Sequence, residues 1–160
     1  ALALYLHENN NVHCIIKTAQ NDDDPNFNEF SPFKNALSEY IKQNSIKYIF
    51  DLHELKPNRP TEINPVIDKG KLILGYEKLY LTIKQIFISN HLKTTEDFPF
   101  CGDNPNAVSR FINKKNQIFS LPIEINSRLL YPEIPCNKID LILKVFSNII
   151  ESTIQYDKNL

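Results

Sequence analysis

The chain has 160 residues, 42% apolar and 23% charged, enough for one α/β domain spanning 1–160 with a single core. Eighteen basic residues against 19 acidic ones leave a net charge of −1, which excludes a global field favouring nucleic acid or an acidic membrane. No apolar run approaches the ~20 residues of a membrane span, and a cytoplasmic protein is the expectation.

Cys14, Cys101 and Cys136 are odd in number and far apart, which gives neither a zinc knuckle nor a disulfide framework. The sequence contains no Met and only 3 Gly, where average usage would give about 11 Gly. With Ala1 as the first residue, the expectation is that part of the N-terminal region lies upstream.

In chain order, residues 1–8 (ALALYLHE) read as the end of a helix, broken by Asn9, Asn10 and Asn11. Residues 12–18 (VHCIIKT) are β-branched enough to predict a strand. NDDDPNFNEF is a polar loop, and Ser31-Pro32 then supplies an N-cap and a first helical position. Phe33, Leu37, Tyr40 and Ile41 share one face of the helix that follows, which ends near Asn44.

IKYIFDL, 46–52, predicts a strand buried on both faces, as in a parallel sheet covered by helices. KPNRPTEINP reads as a loop. Residues 75–90 predict a helix with Leu79, Ile83, Ile86 and Phe87 inward, and 93–100 a short strand. A short helix near 107–112 precedes another strand over 118–125. Asn137 caps the last helix, whose stripe is Ile139, Ile142, Leu143, Phe146, Ile149, Ile150 and Ile154. Alternating strands and helices predict a three-layer α/β sandwich with a mixed, mostly parallel sheet and helices on both faces.

Function in such sheets collects beyond the carboxyl ends of the strands. The second predicted strand runs into Asp51, Leu52, His53 and Glu54. An imidazole there can ligate zinc through one nitrogen while Asp51, two residues earlier on the same side, fixes the other. Asp51 and His53 could equally cap a helix or pair with a lysine. Glu124 lies between Ile123 and Ile125, which face the opposite way. A carboxylate there must be paired, reach a cavity or face solvent from an edge. Paired or in a cavity, it could act as a general base. Arg128 could bind a carboxylate through its planar fork or form a surface ion pair. His7, His13 and His91 lack the spacing of a helical metal site, and the DDDPN turn lacks the ligand pattern of a calcium loop.

Two segments carry a resemblance. NDDDPNFNEFSPFKNALSEYIKQNSIKYIFDLHEL and DNPNAVSRFINKKNQIFSLPIEINSRLLYP resemble, in order and spacing, the N-formylglutamate amidohydrolase family. That family is similar in fold to zinc carboxypeptidases and aspartoacylases. The resemblance implies zinc as cofactor with His53 as a ligand, and Glu124 as general base or active-site carboxylate. It also implies that Arg128 and Asn126 lie beside the substrate and that Asp24 and Asn26 lie at the mouth of the site. The substrate class is an N-acyl amino acid cleaved at its amide bond. The family's early Pro-His-x-Gly motif has no counterpart here, so the remaining metal ligands are expected upstream of Ala1. The alternative is a non-catalytic domain on the same scaffold that binds a small acidic ligand or a protein partner.

Overall fold

The computed structural model describes residues 2–18, 21–134 and 138–159. A first helix, α1 (Leu2–Asn10), ends where Asn11 takes a left-handed backbone, φ 51°. Helix α2 (Pro32–Gln43) starts as its sequence dictates. Ser31 is extended, its Oγ accepts the Lys34 N–H at 3.3 Å, and Pro32 occupies a position whose missing N–H costs nothing. Asn44 ends it with an N–H donated back to Tyr40 O.

Strand β1 (Tyr48–Leu55) follows, then a three-residue strand β2 (Ile63–Pro65) and helix α3 (Glu77–Ser89). Helix α4 (Val108–Asn116) leads into β3 (Phe119–Asn126), and α5 (Ile139–Lys158) closes the described chain. The sheet is small and mixed, in the order β1-β3-β2. β1 runs parallel to β3 over eight residue pairs, and β2 is antiparallel to it over three.

Pro122 explains why β2 is so short. Phe119 N–H donates toward β1, to Lys47 O, whereas Asn126 N–H donates to Glu62 O on the other side. By the strand's period of two, position 122 also faces the β2 side. Val66 N–H reaches Pro122 O at 2.9 Å, but proline has no N–H to return, so the ladder stops there.

Two hydrophobic clusters flank β1. Tyr48, Phe50 and Leu52 pack against a large cluster built from Leu79, Ile83 and Phe87 of α3, Ile142, Val145, Phe146 and Ile149 of α5, and Leu6 of α1. Phe119, Leu121, Ile123 and Ile125 of β3 belong to the same cluster. Ile49, between Tyr48 and Phe50, packs instead against Leu37 and Ile41 of α2 and Val108 and Ile112 of α4. The alternation of β1 thus divides two cores, as a strand covered on both faces requires.

Several expectations are corrected. Residues 12–18 form no strand; Ile15 and Ile16 are exposed there, because β-propensity needs a partner edge and the described residues give them none. The loop reading of KPNRPTEINP hid β2, since three prolines mask a three-residue pairing made by distant chain. The 93–100 segment contributes only an isolated bridge between Thr94 and Ile63. Ile154 is 44% exposed, while Val145 and Thr153 take core positions on α5. The expected cap Asn137 lies outside the described residues, as does Cys136.

Candidate functional site

The parallel register of β1 and β3 sets His53 opposite Glu124. Side chains of registered neighbours in a parallel pair point the same way. Phe119, Leu121, Ile123 and Ile125 point into the large cluster, so Ser120, Glu124 and Asn126 occupy the other face. Asp51 and His53 join them there through β1. The antiparallel register adds Asn64, opposite Glu124 from the β2 side. The apolar residues of α2 and α4 cover the early part of this face at Ile49. His53 and Glu124, near the carboxyl ends of their strands, remain partly accessible.

The groups are electrostatically coupled. His53 Nε2 lies 3.0 Å from Asp51 Oδ1, as the spacing of the two residues anticipated. That contact fixes the ring and leaves Nδ1 as the nitrogen for any ligand. Burial alone would lower the imidazole's pKa, but the hydrogen bond to Asp51 and the charges of Asp51 and Glu124 outweigh it, and His53 titrates above its ordinary value. Burial raises the pKa of Glu124; the charge of His53 opposes this and that of Asp51 reinforces it. Two buried oxygens, Asp51 Oδ2 and Ser120 Oγ, have no hydrogen-bond partner among the described residues. Unsatisfied buried acceptors are costly, and both lie on the face that holds His53.

The other predicted site residues are placed differently. Asn126 is fully buried and its amide is completely committed. Nδ2 donates to Arg59 O (3.1 Å) and Thr61 O (2.9 Å), and Oδ1 accepts from Arg128 N–H (3.1 Å). It therefore holds the 59–61 segment and the 3-10 turn Ser127–Leu129 together. Arg128 projects toward Glu62, 3.8 Å away, and is 38% exposed. Asp24 Oδ1 accepts Asn26 N–H within a tight turn. Asn26 Oδ1 accepts the Val108 N–H at 3.2 Å, and Asn104 Nδ2 donates to Asn26 O at 2.6 Å. Asn26 thus caps α4 from across the chain, where Ala107 has no side-chain oxygen to do so.

Glu62 was invisible in the sequence. It is buried at 8% exposure, accepts from Lys138 Nζ and Lys93 N–H at 2.8 Å each, and faces Arg128. Burial would raise its pKa; those partners bring it below the ordinary carboxylate value. Its neighbours Lys93, Arg128 and Lys138 are remote in sequence, so no local pattern announced it. On the opposite face, Tyr131 donates to Glu54 Oε2 at 2.7 Å. His7 Nδ1 contacts Val12 O and His13 Nδ1 contacts Tyr40 OH, which gives both histidines structural roles.

The donor set among the described residues does not complete a zinc centre. Among the described residues no three His, Cys, Asp or Glu side chains are arranged to hold a metal ion. His53 supplies one imidazole nitrogen, and Asp51 is turned to the imidazole. A cleft of about 860 Å3 lies elsewhere, and neither His53 nor Glu124 lines it.

No protein-family model and no curated protein matches the sequence. The fold resembles the crystal structure of gene product Atu2144 from Agrobacterium tumefaciens, with a TM-score of 0.56 and 16% identity over 79% of this chain. The likeness is one of fold alone. The chain spans about half of that protein, 51% of its length. No helix among the described residues is long and apolar enough to cross a membrane.

Proposed function

We propose that this chain carries the acid–base part of a hydrolytic site for the amide bond of an N-acyl amino acid, on a three-layer α/β scaffold of the phosphorylase/hydrolase type. The register that sets His53 beside Glu124 is the observation that carries this reading. A carboxyl whose pKa is raised by burial works closer to neutral pH than a solvated one, which suits a general base. Glu124 takes the proton of the attacking water and returns it to the leaving amine. The Asp51–His53 pair presents a fixed imidazole beside it. Arg128, steadied by Glu62, offers its guanidinium to the substrate's carboxylate. Asn126 fixes the turn that carries Arg128, and Asp24 and Asn26 fix the loop at the mouth. Zinc belongs to this reading with His53 as one ligand, and the described residues supply no complete set of ligands for it.

The incomplete donor set favours a second reading, a non-catalytic domain that keeps the scaffold and binds a small acidic ligand or a protein partner. One experiment separates the two. The purified chain is incubated with N-formyl-L-glutamate and other N-acyl amino acids, with and without added zinc, and free amine is measured. Hydrolysis lost in Glu124→Gln supports the enzyme. Binding of the acids without turnover, weakened in Arg128→Ala, supports the binding domain. Neither turnover nor binding would sink both.

A further inference from the structure

We infer that the cleft between α2, α4 and the 68–72 turn binds a small multivalent phosphate, at a place separate from the Asp51–His53–Glu124 face. The cleft holds about 860 Å3, within the ~300–1,000 Å3 of small-molecule sites. Its charge is one-sided. Lys34, Lys71, Arg110, Lys114 and Lys115 line it against Glu29 and Asp68, an excess of three positive charges in a protein whose net charge is −1. Concave walls lined by one sign of charge concentrate counter-ions.

Asp68 does not neutralise the lysines on the α2–α4 side, whereas Glu29, with Asp23, bears on Lys34. Asp68 is taken up by the Arg110 guanidinium, with Lys71 Nζ 3.7 Å away. Lys34 is the strongest single pointer. It is only 1% exposed, yet its ammonium contacts neutral carbonyls, Asn28 O at 2.6 Å and Asn106 O at 2.8 Å. An ammonium has three N–H donors, and these two carbonyls take two of them beside the cleft that Lys34 lines. Burial pulls its pKa down, and Asp23 and Glu29 offset this only in part. An anion in the cleft would supply the missing counter-charge. Lys34 and Lys115 both stand over the Phe111 ring, 5.4 and 5.0 Å from its centroid.

The kind of donor selects the kind of anion. Planar carboxylates are best matched by a bidentate guanidinium. Arg110 gives two of its five N–H donors to Asp68 and to Gly102 O, the latter at 2.6 Å from its Nε, and its charge is paired with Asp68. What remains is a set of ammonium point charges, which suits a tetrahedral phosphate carrying more than one negative charge.

Calorimetric titration with inorganic pyrophosphate tests this in four proteins: wild type, the double variant Lys114→Glu/Lys115→Glu, Lys34→Met, and Lys144→Glu on an exposed position of α5. The expected result is saturable one-to-one binding to wild type, weakened at least about tenfold (~1.4 kcal/mol) in the double variant and unchanged in Lys144→Glu. Lys34→Met is expected to weaken binding as well, and the exposed double variant decides the matter if Lys34→Met fails to fold. Absence of saturation, or an equal loss in Lys144→Glu, would overturn the site. Glutarate binding as tightly as pyrophosphate would overturn its assignment to phosphate.

Discussion

The two faces of β3 are built from alternate residues of one strand, yet they do opposite things. Phe119, Leu121, Ile123 and Ile125 are essentially inaccessible and join the large core. Ser120, Glu124 and Asn126 face the other way and carry polar atoms. Asn126 satisfies every polar atom of its side-chain amide. Ser120 Oγ has no partner, and Glu124 holds a carboxyl whose charged form is disfavoured by burial. A face built only for stability would repeat the pattern of Asn126 or of the isoleucines. Departures of this kind are what the function proposed for this face rests on.

The contrast is sharpest for the apolar face. Phe146, 1% exposed and packed 6.1 Å ring to ring on Phe87, should cost about 3–5 kcal/mol on truncation to Ala, read from urea unfolding. Removing a polar group that serves structure should cost less. Asn126→Ala strands the Arg59 and Thr61 carbonyls and the Arg128 N–H, and should lose about 1–3 kcal/mol. A neutral result there would mean the polar face is not structurally specified at all.

The candidate site should behave in the opposite sense. The raised folded-state pKa of Glu124 means that its favourable, protonated contribution is present below the unfolded value and is lost as pH rises through the folded value. Glu124→Gln should therefore raise the thermal midpoint at neutral pH relative to wild type, with the gain shrinking in acid. A drop at neutral pH would place Glu124 among the stabilising residues. His53 also titrates above its ordinary value. The contribution of its pairing is complete below the unfolded pKa and fades as pH climbs through the folded one. Asp51→Asn should therefore flatten the pH dependence of stability across that window. The smallest effect belongs to the exposed Tyr131–Glu54 hydrogen bond, where Tyr131→Phe should change stability by less than about 0.5 kcal/mol.

What could be read ahead of the structure follows the range of the interactions. The cap at Ser31-Pro32, the stripe Leu79, Ile83 and Phe87, and the apolar runs of β1 and β3 are local signals and recur in the fold. β2 could not be read, because its identity as a strand comes from β3 and from a limit set by Pro122. Residues 12–18 were over-read because propensity is silent about whether an edge is near. Asp51 and His53 were legible as a pair two residues apart. Their proximity to Glu124 rested on strands being parallel neighbours, which the register bears out. The roles of Asn26 as a remote cap and Glu62 as an anchor for Lys138 depend on contacts 76 or more positions apart, beyond any local pattern.

The central claim is that parallel pairing couples the His53 imidazole to the Glu124 carboxylate. The direct measurement is the titration of His53 followed by NMR in wild type and in Glu124→Gln. The account predicts a pKa above the ordinary imidazole value in wild type and a lower one in the variant. An ordinary value in wild type that Glu124→Gln leaves unmoved would contradict it.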